Sequence, residues 1–342
     1  MTTAAREMNA AVLTAPESIE SVVVPRPAVP DGWSLIKTEY TGLCGTDFSI
    51  LHGTHPRAEF PLIMGHEITG IVAEASSGPA VGTRVVVEPL LSCGTCAPCR
   101  RGETHVCRRL GLYGIDVPGS LAEYVAVRTE TLIPVVPGVP GVQAALAEPL
   151  AVAVHAVERS QLQPGDTVAV FGAGPIGILT ALVARHRGAE VLLVAEPGEG
   201  RRALAQSLGF PVTDGDPVAA VLATTADEGV DFVFDTAAHP SVASLVTKAA
   251  RVRGSIVVVG VYKAPTEIDL QAVAFKELTM IGVRVYTRAD MERAVELIGA
   301  GTLGLERLPV EIFPLSQAGD AFARAMDAGS TLKVLVASGE AE

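Results

Sequence analysis

The sequence predicts an α/β chain of two domains, a β-rich one followed by a doubly wound parallel sheet. Three observations carry that reading. At 342 residues the chain is too long for one ordinary core. Short apolar runs bounded by glycine and proline fill its first 150 positions. Beyond that point apolar runs alternate with helical segments, and the first junction between them is glycine-rich.

In chain order, Ala10–Leu13, Ser21–Val24, Trp33–Thr38, Gly70–Ala75 and Thr83–Val87 read as strands. No long amphipathic helix occurs before about Val142. Thr167–Phe171 reads as a buried strand, Ile176–Arg187 as a helix, Glu190–Ala195 as a strand and Gly200–Leu208 as a helix. Asp231–Asp235, Ser255–Val259 and Leu278–Val283 are further strands. The tail reads as helices at Met291–Gly299 and Gln317–Ala328, then a strand at Thr331–Ala337. The expected division is a β-rich domain over 1–150, completed by 290–342, and a Rossmann domain over 151–289. Hydrophobic residues make up 49% and aromatics only 4%, so both cores must be aliphatic.

Charge narrows the partners. With 26 basic and 38 acidic residues the formal net charge is -12, which repels a phosphate backbone and argues against nucleic acid. The one dense basic group, Arg100, Arg101, Arg108 and Arg109, sits inside a cysteine cluster. Residues 1–7 are polar and no apolar stretch follows, so a cytoplasmic protein is expected. The hydrophobic stretch Thr167 to Ala184 contains Gly172, Gly174, Pro175 and Gly177. It reads as strand, turn and helix rather than a membrane span.

Gly172-Ala173-Gly174-Pro175-Ile176-Gly177 matches G-x-G-x-x-G between a strand and a helix. The first glycine permits the turn, the second admits a pyrophosphate, and the third lets helix and strand pack closely. The helix N-terminus then offers free N–H groups to phosphate. Glu196 ends the next strand, nineteen positions after Gly177, where a carboxylate bonds ribose hydroxyls and repels a 2′-phosphate. NAD is therefore favoured over NADP, a preference tempered by Arg201 and Arg202.

Cys93, Cys96, Cys99 and Cys107 place four thiols within fifteen residues. They suit a closed tetrahedral zinc site of structural type. Iron–sulfur ligation competes, because C-x-x-C-x-x-C opens some cluster motifs, but no Cys-Pro and no second motif follows. His105 is an additional donor that four cysteines do not require.

Three separated segments carry polar residues that apolar packing would not choose: Gly42-Leu43-Cys44-Gly45-Thr46-Asp47, Gly65-His66-Glu67 and Glu148-Pro149-Leu150. Cys44, His66 and a glutamate would supply the three mixed ligands of a catalytic zinc with an open position. Singly, each has an ordinary explanation: a buried thiol, a His-Glu surface pair, an acid at a helix start. Their co-occurrence beside a nucleotide fold shifts the balance.

GLCGTD, GHE, GTCAPCRRGETHVC, EPLAVAVHA and GAGPIG occur in the order found in the zinc-containing medium-chain alcohol dehydrogenases. The chain resembles that family from about Met8 to its C-terminus. Glu148 in EPL makes it similar to the sorbitol (polyol) and threonine dehydrogenase branch. The resemblance implies a GroES-like β-rich catalytic domain joined to the Rossmann domain, with two Zn²⁺ and NAD. It implies Cys44 and His66 as ligands of the catalytic zinc, with Glu67 and Glu148 both candidate ligands. Asp47 would orient His66, and Thr46 would pass the substrate proton outward. Relatives often carry a histidine where this chain has Ser49; His52 is a nearby substitute. Tyr113, Arg284 and Tyr286 are candidate walls of a substrate cleft between the domains.

The expected activity is hydride transfer from a secondary alcohol of a polyol, sugar alcohol or cyclitol to NAD⁺. A threonine-type 3-hydroxy amino-acid dehydrogenase and a non-catalytic NAD-binding sensor are the alternatives. The resemblance also implies a homo-oligomer, a tetramer or a dimer.

Overall fold

The computed structural model describes residues 6–327, 329 and 331–339. The first part of the chain forms β1 (Glu7–Ala15), β2 (Ser18–Pro25), β3 (Trp33–Gly42), α1 (Gly45–Leu51), β4 (Glu67–Ala75), β5 (Arg84–Val87), β6 (Leu90–Leu91), α2 (Ala97–Arg100), β7 (Gly111–Leu112), β8 (Tyr124–Arg128), β9 (Leu132–Pro134), α3 (Gly141–Ala144) and α4 (Ala147–Ser160). Next come β10 (Thr167–Phe171), α5 (Pro175–His186), β11 (Glu190–Ala195), α6 (Glu199–Ser207), α7 (Pro217–Thr224), β12 (Val230–Asp235), α8 (Pro240–Ala249), β13 (Ala250–Val258), α9 (Leu270–Phe275) and β14 (Thr279–Gly282). The chain closes with α10 (Arg288–Ala300), β15 (Val310–Pro314), α11 (Ala318–Met326) and β16 (Lys333–Ala337). Ala328, the expected end of α11, lies outside the described residues.

Two sheets organise these elements. The parallel sheet runs in the order β11-β10-β12-β13-β14. Interior strand β10, between β11 and β12, is buried along Val168–Phe171, which is why that stretch is continuously apolar. Strand order reverses between β10 and β12, so the crevice at their C-terminal ends is the place where such sheets take ligands. The other sheet runs β15-β16-β3-β4-β5-β9, with β8 also paired to β3. Strand β16 thus returns from the far end of the chain to lie against Tyr40–Gly42 of β3.

The expected break at residue 289 does not separate two cores. Met291, Ala294 and Val295 of α10 share one buried cluster with Leu150 and Val154 of α4 and with Val168 and Val170 of β10. Helix α10 is therefore part of the parallel-sheet layer, held there by its aliphatic face. Thr287 and Asp290 start it with a reciprocal capping box, and Gly301 ends it at φ 65°.

Candidate functional site

At the glycine-rich junction, the three glycines differ in what they permit. Gly172 has φ 107°, which favours glycine. A Cβ on Gly177 would lie 1.9 Å from the Gly172 carbonyl oxygen, so helix α5 can start this close only without one. Gly174 faces open space; the nearest atom to a Cβ there is Arg201 Nη1 at 3.9 Å. Glu196 follows β11 directly. Its carboxylate accepts the N–H of Ala173 in the glycine turn and of Gly198, both at 2.9 Å. Its acceptor oxygens are thereby fixed at the rim of the crevice. Arg202 is occupied with the Glu196 and Pro197 carbonyls. Arg201 instead extends over the glycine turn.

The four clustered cysteines form a separate lobe. All are free thiols. The sulfur separations are 4.0 Å for Cys93–Cys99, 3.4 Å for Cys96–Cys99 and 3.8 Å for Cys96–Cys107. A tetrahedron with Zn–S bonds of ~2.3 Å has edges of about 3.8 Å. Burial and the neighbouring thiols push Cys99 up to about 11, whereas donors favour the thiolate at two of the others. The Thr95 N–H and hydroxyl hold the Cys93 thiol down to about 5. The N–H groups of Cys99 and Arg108 lower Cys96. Cys107 accepts from the N–H groups of Cys93 and Arg109, each at 3.3 Å. His105 is not in this group; its ring turns toward His155 on α4.

A second group assembles from distant segments. Ligand atoms of Cys44, His66 and Glu67 all lie within 4.8 Å of one another. Cys44 caps α1, and its N–H donates to Asp47 Oδ2 at 2.9 Å. The other Asp47 oxygen lies 3.4 Å from His66 Nδ1. One fully buried aspartate thus starts the helix that presents Cys44 and lies against the imidazole. Burial opposes a charge on His66, but the Asp47 carboxylate and the Cys44 thiol outweigh it and raise its pKa well above the usual value. The surroundings favour positive charge at this point, as a metal site requires.

Glu67 opens β4 opposite Gly42 of β3. A Cβ on Gly42 would lie 2.0 Å from Glu67 Oε2, so the glycine makes room for the carboxylate. Lys333, first residue of β16, places Nζ 2.5 Å from both Glu67 oxygens, with each side chain buried. Nothing local in the sequence marked Lys333; its pairing follows from β16 running beside β3. Glu148, in the first turn of α4, is not part of the 4.8 Å group. Burial, then the Glu67 charge, pushes its carboxyl up to about 7. It accepts from the Tyr286 hydroxyl at 2.8 Å.

Three expectations change. Tyr286 is fully buried; Tyr113, also fully buried, borders a pocket with Pro25, Trp33 and Tyr124 that includes neither Cys44 nor His66. The Tyr113 oxygen accepts the Arg128 N–H at 2.9 Å, and Tyr286 holds Glu148. Arg284 is exposed. His52 pairs with Glu17 in the β1–β2 turn, so its ring is committed there rather than to Thr46. Ser49 donates to the Thr46 carbonyl at 2.9 Å. His55, not singled out in the sequence, feels the charges of Asp47 and His66, although burial and Arg57 lower its pKa.

The family profile described as "Alcohol dehydrogenase GroES-like domain" matches residues 30–138, and "Zinc-binding dehydrogenase" matches 175–300. The chain is 41% identical over 305 residues to the 2-dehydro-3-deoxy-L-galactonate 5-dehydrogenase of Pseudoalteromonas atlantica, covering 87% of this chain and 89% of that protein. It is 29% identical to the sorbitol dehydrogenase of Bacillus subtilis, covering 98% of each. A zinc-binding dehydrogenase of Sinorhizobium meliloti, solved with NADP, superposes with a TM-score of 0.91 at 32% identity, covering 97% of this chain and 99% of that one. An Escherichia coli alcohol dehydrogenase complexed with NADH gives a TM-score of 0.89 at 26% identity, with the same coverage. With the glycine junction, the cysteine lobe and the mixed-ligand centre all present, the chain belongs to the zinc-type medium-chain alcohol dehydrogenases.

Proposed function

We propose that this dehydrogenase oxidises a secondary hydroxyl of a polyol, sugar alcohol or sugar acid, with NAD⁺ as the preferred hydride acceptor. The convergence of Cys44, His66 and Glu67 beside Glu148 carries the reading. In it, Cys44, His66 and one of the two glutamates hold a catalytic zinc, and the four lobe cysteines hold a second, structural one. When bound, the catalytic zinc supplies Lewis acidity that makes a substrate hydroxyl easier to deprotonate.

The remaining steps belong to the chain. Asp47 keeps the His66 ring in one orientation. Lys333 neutralises Glu67, so the centre is not flooded with negative charge. The Thr46 hydroxyl, 3.9 Å from Cys44 Sγ, takes the substrate proton. Glu196 would receive the ribose hydroxyls of the dinucleotide, and the α5 N-terminus and Arg201 would hold its pyrophosphate. Relatives named for galactonate, altritol and sorbitol support a polyhydroxylated substrate.

The test is an NADH-release screen over sorbitol, altritol, inositols, aldonates and threonine, with metal content measured on the same sample. Turnover of polyols or aldonates with two zinc ions per chain is expected. Turnover of threonine alone, or a protein free of zinc, would overturn the reading. The five cysteines, all free thiols, suit a reducing cytoplasm. Among the described residues no helix is long and apolar enough to cross a membrane.

Self-association of the chain as a dimer or tetramer belongs to the same reading. Edge strand β14 and its neighbours expose Met280, Phe275 (80%), Leu270 and Val261 (86%). An unpaired strand edge with apolar cover suits a second copy. Phe275→Asp should shift the sedimentation of the protein toward monomer.

A further inference from the structure

Helix α4 carries two buried polar side chains seven residues apart, Glu148 and His155. Seven residues make two turns, so both lie on one face about 10.5 Å apart. Glu148 meets the stretch that leads into α10, and His155 meets the first turn of α10. Near the start of α4, the Tyr286 hydroxyl donates to Glu148 at 2.8 Å. Two turns on, His155 Nδ1 lies 2.8 Å from Asp290 Oδ2. Asp290 is itself fixed, since the same oxygen accepts from the Thr287 N–H at 2.8 Å and hydroxyl at 2.6 Å in the capping box of α10. His155 also meets His105 from the cysteine lobe, edge-on, with ring centroids 5.2 Å apart.

The rest of the contact between α4 and α10 is aliphatic, with Leu150, Val154, Met291, Val295 and Ile298 in one cluster. Aliphatic surfaces of this kind bind strongly but tolerate small slides and rotations. A buried hydrogen-bonded pair does not, and its best-attested use is to fix register. Here the register decides where Glu148 stands. The His105 placement is costly in itself: its Nδ1 is buried without a hydrogen-bond partner among the described residues. His105 sits in the turn Thr104–Val106, directly before Cys107 of the lobe, so the fold of the lobe sets where that ring lies.

We propose that His155, in contact with Asp290 and His105, is a positioning residue that ties the folding of the four-cysteine lobe to the placement of Glu148 beside Cys44 and His66. The lobe contributes no ligand to that centre, yet loosening it should weaken divalent-cation binding there. The inference rests on the two-metal reading above.

The test is a double-mutant cycle on the full-length zinc-loaded protein, with His105→Leu and His155→Leu. Neither change removes a cysteine or a proposed ligand. Affinity of the cleft site for zinc is read by chelator competition, and its geometry by the visible spectrum after cobalt(II) substitution. Each single variant should bind the cleft cation about tenfold more weakly, the low end for groups that orient metal ligands. The lobe cation should remain, and the double variant should be no worse than either single. His155→Gln, which can still donate to Asp290, should recover most of the affinity.

Unchanged affinity in His155→Leu, or a double variant whose loss is the product of the two singles, overturns the proposal. If His155→Leu does not fold, His105→Leu decides alone: no loss of cleft affinity overturns it. A wild-type protein holding a single cation overturns the two-metal reading and this proposal together. Two cations with uncoupled variants overturn the proposal only.

Discussion

In the lobe, four thiols come from fifteen consecutive residues and are held by backbone N–H groups of the same loop. In the cleft, Cys44, His66, Glu67 and Glu148 come from a helix cap, the start of a strand and the first turn of another helix. Cys44 is held locally by Asp47, but the other three are met by side chains from other elements. Lys333 reaches Glu67 across 266 positions and Tyr286 reaches Glu148 across 138. Burial accounts for the contrast. Lobe thiols are mostly half-buried, so backbone donors and nearby water suffice. The cleft buries Asp47, Glu67 and Glu148 together, and buried carboxylates need specific partners.

The largest expected contrast is functional. Cys44→Ala or His66→Ala should reduce NADH production to background while NAD⁺ still binds, as followed by fluorescence titration. Cys96→Ala should leave turnover measurable at 25 °C and lower the melting temperature. Equal loss of turnover in both would erase the distinction between the two sites.

A second contrast is energetic. Lys333→Leu strands the Glu67 carboxylate in the interior and should cost about 3–5 kcal/mol in urea unfolding. Adding Glu67→Gln should recover most of that loss. A cost near zero for the single change would mean that the ion pair does not hold Glu67 in place. Tyr286→Phe leaves one Glu148 oxygen without its donor and should cost about 1–3 kcal/mol by the same measurement. No change of comparable size is expected from Thr95→Val in the lobe, where solvent can replace a lost donor.

The smallest effect concerns acid. Burial raises the Asp290 pKa, but hydrogen bonds from His155 and Thr287 outweigh it and hold the carboxyl below its usual range. A carboxyl depressed in the folded state stabilises above its unfolded pKa of about 3.9 and loses that stabilisation as pH falls through the folded value. Melting temperature should therefore drop more between pH 5 and pH 3 in the wild type than in His155→Leu. Parallel curves would show that His155 does not set the Asp290 pKa.

Much of this was legible in the sequence because it is local. The G-x-G-x-x-G junction, the acid after the second strand of the Rossmann unit and the cysteine spacing each encode geometry within a few residues. The strands near Thr167 and Glu190 were legible for the same reason, since a strand buried on both faces is continuously apolar. Lys333 was not. It is one lysine in a tail, and its significance arises only because β16 pairs with β3 beside Gly42. Tyr286 was noticed and misassigned, because an aromatic near a cleft looks the same in sequence whether it lines the opening or supports a buried carboxylate. His52 was misassigned because nearness in sequence does not tell which way a ring at a helix end will turn.

The chain's order of residues was enough to specify many of the elements, the glycine-rich turn and the cysteine spacing of the lobe, since backbone hydrogen bonds and turn geometry act over short separations. It was enough to name Cys44, His66, Glu67 and Glu148, but not to say what keeps two glutamates side by side in an apolar interior. That was decided by tertiary structure. Sheet pairing brings Lys333 to Glu67, and the packing of α4 on α10 brings Tyr286 to Glu148 and Asp290 to His155. The physical reason is that buried charge must be matched within hydrogen-bonding distance, and only the folded chain sets those distances.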